Sequence, residues 1–210
     1  MRIRIGAVVL GVCVLLFIII AAVLPESGPL MIDEKAAQAV RHMAGHQGEQ
    51  VWKAVTELGS STIIIAAALV YTAWLGWRLR SAAVLWIPAG GAAAYLLNQG
   101  LKTWLDRERP TGAWGIEFDG ASFPSGNAML AMAVYGTMML SFLLYTKAGR
   151  VAKSTAAIVG VAIIVCVGFS RLFFGVHYVT DIIAGYAAGG AVMMVSLYLL
   201  GTSIKRKQRI

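Results

Sequence analysis

The residues best suited to chemistry are a histidine and an aspartate four positions later, His177 and Asp181. Residues four apart lie on the same face of a helix, so the carboxylate can accept a hydrogen bond from one ring nitrogen of the imidazole. That bond fixes the tautomer and leaves the other ring nitrogen free to attack an electrophile or to accept a proton. A cation, Arg171, precedes the histidine by six residues. The spacing therefore predicts an oriented base or nucleophile beside a positive charge.

Two further cations, Lys102 and Arg109, are seven residues apart in the segment KTWLDRERP. Seven residues make about two turns, so a helix here would place both cations on one face. Pro110 disfavours helical geometry at Arg109 and predicts that the helix ends there. An arginine with two parallel hydrogen bonds and a lysine as a point charge together suit a phosphate dianion. Taken alone, the pair also fits a basic helix end whose side chains reach toward lipid head groups.

A third polar cluster, SFPSGNAM from Ser122 to Met129, opens a long apolar stretch. Pro-Ser-Gly is typical of a turn that leads directly into a helix. The hydroxyl of Ser125 and the backbone amide of Gly126 would then point outward at a helix N-terminus, which favours an anion. An ordinary N-cap explains the same residues.

The elements that would position these clusters are membrane-spanning helices. Of the 210 residues, 59% are hydrophobic and 13% charged, whereas a soluble domain carries about 25% charged residues. Six continuous apolar stretches, each near the roughly 20 residues that cross a bilayer, predict an all-α bundle that forms one domain over 1–210. The predicted spans are about 5–24, 61–77, 81–101, 127–146, 154–174 and 178–201. The first is longer than the core of a signal peptide and is expected to be retained.

The basic residues are distributed unevenly between the connecting segments. With the N-terminus inside, 11 of the 18 basic residues lie in inner segments, and all ten acidic residues lie in outer segments or at outer span ends. Because basic residues favour the cytoplasmic side, both termini are predicted to be cytoplasmic in a multi-pass protein of the cell membrane. The three polar clusters then lie on the outer side. The basic tail KRKQR is expected to contact anionic membrane lipids, and nucleic acid is not an expected partner.

Residues 31–58, between the first two spans, carry apolar side chains at helical spacing and predict one or two amphipathic helices on the outer surface. These helices could cover the site, guide a lipid to it, or only pack against the bundle. Gly185 and Gly189 form a GxxxG pair that predicts close helix packing within the bundle, with dimerisation as the alternative. The span interiors are apolar apart from residues such as Asn98 and Gln99, which argues against a transporter or channel.

Taken together, the three clusters resemble the type 2 phosphatidic acid phosphatase (PAP2) family, the membrane branch that shares its site with vanadium haloperoxidases. The family pattern is K-x6-RP, then PSGH, then SR-x5-H-x3-D. This chain matches it in order and spacing with Lys102…Arg109-Pro110, Pro124-Ser125-Gly126 and Ser170-Arg171…His177…Asp181. The six-span layout and the external site match as well. The chain is most similar to small bacterial members related to phosphatidylglycerophosphate and undecaprenyl-diphosphate phosphatases.

The resemblance implies a role for each matched residue. His177 would attack phosphorus and carry a transient phosphohistidine, while Asp181 orients it. The phosphoryl oxygens would be held, and the transition-state charge stabilised, by Lys102, Arg109, Arg171, the Ser125 hydroxyl and the Gly126 amide. The substrate would be a lipid phosphate or diphosphate of the phosphatidylglycerophosphate, phosphatidic acid or undecaprenyl diphosphate class. No metal or other cofactor is expected, since the cations take the place that magnesium has elsewhere.

One position departs from the family pattern, because Asn127 stands where the family has a histidine that protonates the leaving alkoxide. An amide is no general acid near neutral pH, and losing one costs roughly 10²–10⁴-fold in rate. Asn127 could be an inactivating change, which would leave a lipid-phosphate binding protein with little turnover. Another acid, from His42, His46 or Glu108, could replace the histidine. Alternatively, the leaving group needs little protonation, as with a lipid diphosphate, and Asn127 hydrogen-bonds the leaving oxygen.

Overall fold

The computed structural model describes residues 2–25, 28–43, 48–110 and 120–207. Within these ranges the chain is all-helical, as predicted, and contains no strand. The helices are α1 (Arg2–Val23), α2 (Met31–Met43), α3 (Glu49–Glu57), α4 (Ser61–Leu79), α5 (Trp86–Leu105), α6 (Gly126–Tyr145), α7 (Arg150–Phe173) and α8 (Val179–Lys207). A short 3₁₀ turn, Ala82–Leu85, precedes α5.

Among the described residues, five helices are long and apolar enough to cross a membrane: α1 from Arg4, α4, α6, α7, and α8 as far as Arg206. They correspond to five of the six predicted spans. The stretch predicted as the third span, 81–101, is the 3₁₀ turn followed by the 20-residue α5. The C-terminal half of α5 carries Asn98 and Lys102. That α5 also crosses the bilayer, which would give six spans, stays a prediction.

The bundle is organised around α6, which packs against α4, α5, α7 and α8. Met129 and Val134 of α6 are buried in the main apolar cluster together with Ile64 of α4, Ala94 of α5 and Val167 of α7. The N-terminal half of α6 is therefore surrounded by the other helices. A side chain at the start of α6 has a fixed position relative to all of them.

The GxxxG pair of α8 lies against α6. A Cβ added at Gly185 would lie 2.6 Å from the carbonyl oxygen of Ser125, and one added at Gly189 would clash with the carbonyl oxygen of Met129. The absence of side chains therefore allows the first turns of the two helices to approach closely. This contact confirms the predicted packing inside the bundle, and it brings two of the three polar clusters together.

The segment between α1 and α4 forms two short helices, α2 and α3, as its amphipathic pattern predicts. On α2, Val40 is buried in an apolar cluster with Phe173 and Phe174 at the end of α7. On α3, the ring of Trp52 lies against α7, with its centroid 4.7 Å from that of Phe169. Both helices are therefore packed onto the bundle where α7 ends and α8 begins.

Two backbone positions with positive φ determine where the elements near the polar clusters end. Helix α5 ends at Leu105 because Asp106, with φ of 32°, leaves helical geometry. The predicted helix as far as Arg109 is therefore wrong, and Lys102 and Arg109 do not share a helix face. Gly175, with φ of 64°, lies in the turn between α7 and α8, where a residue without a Cβ adopts the left-handed conformation at little cost.

Candidate active site

The C-terminal ends of α5 and α7 and the N-terminal ends of α6 and α8 meet at one end of the bundle. Backbone hydrogen bonds connect the segments there. The amide of Ser122 donates to the carbonyl of Arg107 at 2.7 Å, and the amide of Ser125 donates to the carbonyl of Asp181 at 3.0 Å. The structure thereby brings the three polar clusters of the sequence into one site.

His177 lies in the turn before α8, two residues ahead of its first residue, so the expected continuous helix from the histidine to the aspartate is wrong. The two side chains nevertheless meet. Nδ1 of His177 is 3.6 Å from Oδ2 of Asp181 and 3.3 Å from Oγ of Ser122, which itself donates to Oδ2 at 2.5 Å. Nε2 of His177 lies 3.4 Å from Nη1 of Arg109. Because a guanidinium only donates hydrogen bonds, Nε2 is the acceptor, and we infer that the ring proton is on Nδ1.

The imidazole of His177 is buried, with 3% of the residue exposed. Burial disfavours the imidazolium and lowers the pKa of His177 to about 4, against the opposing effect of Asp181 and with a further contribution from Arg109 and Arg171. The ring is therefore neutral near pH 7, which is the state that a nucleophilic nitrogen requires. Burial also lowers the pKa of Arg109, but a guanidinium stays charged at this pH.

Backbone carbonyl groups hold the guanidinium of Arg109 beside the imidazole. Its Nε donates to the carbonyl of Gly120 at 2.9 Å, and its Nη1 donates to the carbonyl of Val176 at 3.0 Å. Val176 precedes the histidine directly, so the same turn positions both His177 and its neighbouring cation. The convergence that the sequence attributed to a shared helix face is produced instead by the chain folding back after α5.

Two further cations lie close to this pair. Arg171, in the last turn of α7, is buried, and its Nη1 donates to Oγ1 of Thr56 at 2.9 Å. Lys102, in the last turn of α5, is half-buried and interacts electrostatically with Arg109, Arg171 and Asp181. Like charges this close repel one another. Their convergence indicates a site for a group with several negative charges, such as a phosphoryl group.

The first residues of α6 are connected to this site by the hydrogen bond from the amide of Ser125 to the carbonyl of Asp181. Ser125 is the N-cap residue, but its side chain makes no capping hydrogen bond, and its buried Oγ has no partner among the residues that the structure describes. An unpaired buried hydroxyl is costly, so this geometry fits a ligand-binding group better than an ordinary N-cap. A Cβ at Gly126 would lie 2.8 Å from Oδ1 of Asn98. Nδ2 of Asn127 is 3.2 Å from the point that a Cβ on Gly59 would occupy.

The charged side chains behind the imidazole could not be predicted from the sequence. Arg107 donates from Nη1 to Oδ1 of Asp181 at 2.6 Å and from Nη2 to Oδ2 of Asp33 at 2.8 Å. The sequence places Asp33 only in an amphipathic surface helix, yet it is 1% exposed. The sequence likewise assigns no role to Ser122. Arg107 and Arg109 are two residues apart, which is weak evidence that both side chains point into the site. No sequence pattern near Asp33 indicates that its carboxylate is buried.

The sequence pattern of the PAP2 superfamily matches residues 83–205, which is more than half of the chain. The chain belongs to the PAP2 superfamily. The resemblance drawn from the three clusters is therefore confirmed, and this PAP2 chain is a membrane-bound phosphatase.

One curated relative and two solved structures are similar to most of the chain. Phosphatidylglycerophosphatase B of Bacillus subtilis (strain 168) is 29% identical over 175 residues, which cover 83% of this chain and 86% of the relative. The crystal structure of a transmembrane PAP2-type phosphatidylglycerolphosphate phosphatase from Bacillus subtilis gives a TM-score of 0.82 at 26% identity, covering 90% of this chain and 94% of the other. Aquifex aeolicus LpxE gives 0.63 at 17% identity, covering 83% and 99%, and shows the fold alone.

Three residues are candidates to replace the PAP2 histidine as the proton donor: His42, His46 and Glu108. His46 and the side chain of His42 lie outside the described residues. Glu108 is exposed and within electrostatic range of Tyr178, the residue after His177. The identity of a proton donor, like the roles of the other site residues, therefore stays a prediction.

Proposed function

We propose that the chain is a metal-independent lipid phosphatase in which Nε2 of His177 attacks the phosphorus of a lipid phosphate or diphosphate. The observation that carries this proposal is the buried neutral imidazole, held at Nδ1 by Asp181 and Ser122, with Nε2 facing Arg109. The lone pair of Nε2 forms the P–N bond as the bond between phosphorus and the leaving oxygen breaks. Water then attacks phosphorus, the P–N bond breaks, and phosphate and neutral His177 are released.

The cationic groups around His177 would stabilise the charge that develops during both steps. Lys102, Arg109 and Arg171 would bind the non-bridging oxygens. The hydroxyl of Ser125 and the amide of Gly126 would add donors at the start of α6. Such donors, fixed in a site of low dielectric constant, stabilise a transition state without reorganising. In this scheme the cations supply what a metal ion supplies in other phosphoryl-transfer enzymes, so removal of divalent metal is expected to leave turnover unchanged.

Asn127 limits which leaving groups the site can release efficiently. An alkoxide leaving from a lipid phosphate monoester needs a proton, and an amide does not supply one. A lipid diphosphate instead releases a phosphate monoester anion, whose oxygen needs only a hydrogen bond from Nδ2 of Asn127. The proposal therefore favours a lipid diphosphate, such as a prenyl diphosphate, over a monoester such as phosphatidic acid. Phosphatidylglycerophosphate, the substrate class in the names of the Bacillus subtilis relatives, is a further candidate.

An apolar groove between α4, α5 and α6 supports a lipid substrate. It has a volume of about 510 Å³ and is lined by side chains of α4, α5 and α6, among them Ala92, Tyr95 and Leu130. Leu130 is three residues from Asn127 on α6, and Tyr95 is seven residues from Lys102 on α5, so each pair shares a helix face. The groove thus lies on the faces of α5 and α6 that also carry Lys102 and Asn127. It would take a hydrocarbon chain while the phosphate lies at His177.

The alternative function, supported by Asn127, is a lipid-phosphate binding protein with little turnover. One experiment separates the two functions: phosphate release from phosphatidic acid, phosphatidylglycerophosphate and a prenyl diphosphate by the full chain in detergent. The proposal predicts release from at least the diphosphate, and loss of that release in His177→Ala. Tight binding of vanadate without release from any of these lipids would favour the binding protein. We further propose that the site is on the outer side of the cell membrane, with both termini cytoplasmic.

A further inference from the structure

Behind the imidazole, three buried side chains form a continuous set of ion pairs: Asp33 of α2, Arg107, and Asp181 of α8. Nη2 of Arg107 lies 2.8 Å from Oδ2 of Asp33, and Nη1 lies 2.6 Å from Oδ1 of Asp181. The side chain of Arg107 is 5% exposed, and both carboxylates are fully buried. Buried charges persist only when they are paired and hydrogen-bonded in good geometry. The guanidinium therefore has a fixed place between the two carboxylates.

Asp33 is itself fixed by donors from two other segments. Its Oδ1 accepts hydrogen bonds from the amide and the hydroxyl of Thr180, at 3.0 and 2.8 Å. Its Oδ2 accepts a bond from the amide of Leu30 at 3.1 Å, in addition to the bond from Arg107. Both oxygens of Asp33 are thus occupied. The start of α2 is bound to the first turn of α8, one residue before Asp181.

The two oxygens of Asp181 have different partners. Oδ1 is held by Arg107, whereas Oδ2 accepts from Oγ of Ser122 and from the amide of Tyr178 and faces Nδ1 of His177. The guanidinium carbon of Arg107 also lies 4.2 Å from the ring centroid of Tyr178. This cation–π contact restrains the plane of the guanidinium. Rotation of the carboxylate would carry Oδ2 away from the imidazole. The bond from Arg107 to Oδ1 opposes that rotation.

We propose that Arg107 and Asp33 are positioning residues for His177, because they hold Asp181 so that its Oδ2 keeps the imidazole proton on Nδ1 and Nε2 turned toward the phosphate. The inference rests on the proposed function of His177 as nucleophile. Neither residue touches the reacting atoms, and both act through Asp181. Helix α2 is then part of the support of the catalytic residues, in addition to packing against the end of α7.

The test begins with Asp33→Asn in the full chain, with Glu34→Gln as the matched control. The asparagine keeps the shape of Asp33 but removes the charge that pairs with Arg107, whereas Glu34 is the next residue of α2 and is exposed. We expect kcat for the lipid phosphate to fall about 10²-fold, the effect of a small misplacement of a reacting group. KM should stay within about threefold of wild type, because the phosphate-binding cations are unchanged. The control should change neither constant.

A second variant separates positioning from folding. Asp33→Asn leaves the buried charge of Arg107 without one partner, which is destabilising in itself. The variant Arg107→Lys keeps a cation between the two buried carboxylates but replaces the two-nitrogen guanidinium with a single ammonium, so it should keep most of the thermal stability. Positioning predicts that its kcat is nevertheless low, because one ammonium does not hold Oδ1 of Asp181 in the geometry that the guanidinium imposes. Wild-type kcat together with wild-type stability in Arg107→Lys would show that the ion pairs only support the fold, and it would overturn the proposal.

A spectroscopic measurement tests the proposal without turnover. The ¹⁵N shifts of the His177 ring report which nitrogen carries the proton. Wild type and Glu34→Gln should show the Nδ1–H tautomer, and Asp33→Asn should show a mixture of both. If wild type releases no phosphate from any lipid, the proposed function fails, but this comparison still tests the positioning. An unchanged tautomer with wild-type kcat in folded Asp33→Asn would contradict the inference.

Discussion

Replacing Asn127 by histidine should affect two substrate classes by different amounts. A general acid contributes roughly 10²–10⁴-fold when it protonates the leaving group, which corresponds to about 2.7–5.4 kcal/mol of activation free energy. A lipid phosphate monoester leaves as an alkoxide and should gain a factor in this range. A lipid diphosphate leaves as a stabilised anion, so its kcat should rise less than about tenfold.

The surroundings of Asn127 determine where in the range the gain falls. The side chain is half-buried, and Nδ2 lies 3.2 Å from the point that a Cβ on Gly59 would occupy. The amide of Asn127 thus already fills much of the space that the missing side chain at Gly59 leaves. The same point lies 2.6 Å from Cγ1 of Val167, so the space beyond Gly59 is closed. We therefore expect a gain near the lower limit, about 10²-fold for the monoester.

The assay measures phosphate release from phosphatidic acid and from a prenyl diphosphate, in detergent, by wild type, Asn127→His and Asn127→Ala. The alanine variant removes the amide without adding an acid, and it should lower turnover of the diphosphate because the hydrogen bond to the leaving oxygen is lost. Equal gains on both substrates in Asn127→His would refute the reasoning and indicate a disabled enzyme. No gain on either substrate would indicate a proton donor elsewhere, such as Glu108.

Three further predictions follow from the site and the groove. The pKa of His177, at about 4, lies below the roughly 6.5 of a free histidine, so its ring should stay neutral as the pH falls from 7 to 5. The NMR signal that is missing in His177→Ala reports this, and half-protonation near pH 6.5 would contradict it. Ser125→Ala should raise KM about tenfold or more, because a hydrogen bond to a charged group contributes about 1.5–3 kcal/mol. It should leave the unfolding temperature unchanged or higher, since the hydroxyl has no described protein partner, and a lower unfolding temperature would argue against a ligand-binding hydroxyl. Ala92→Phe, in the groove, should raise KM for a long-chain lipid phosphate about tenfold, or about 1.4 kcal/mol, without affecting a short-chain soluble analogue. Ala93→Phe, at the exposed neighbour outside the groove, is the control. Equal effects of the two variants would show that the hydrocarbon chain of the lipid binds elsewhere.

The helices could be predicted from the sequence because a bilayer requires long apolar segments, and these are visible without any knowledge of tertiary contacts. Helix α5 is the exception, since Asn98 and Lys102 interrupt its apolar pattern. The amide of Asn98 donates to the carbonyl of Pro124 at 3.1 Å. The polar residue Asn98 in a predicted span is thus explained by its contact with the loop before α6. This contact exists only in the folded chain, so the sequence does not reveal it.

The residues that the structure brings together at the candidate site could also be predicted, but the reason for their convergence could not. Spacing suggested shared helix faces, whereas the structure uses the turn after Asp106 and the turn at Gly175. The contact between Asp33 and Arg107 joins residues 74 positions apart, and it depends on how α2 packs against α8. Local patterns carry no information about such a contact, so the support of Asp181 was missed.

The identity of the phosphorylated residue tests the central claim most directly. The full chain would be denatured at alkaline pH during turnover of a ³²P-labelled lipid diphosphate or phosphate, and the labelled peptide would be identified. The account predicts label on His177, and neither label nor phosphate release in His177→Ala. Label on another residue, or undiminished phosphate release by His177→Ala, would contradict it.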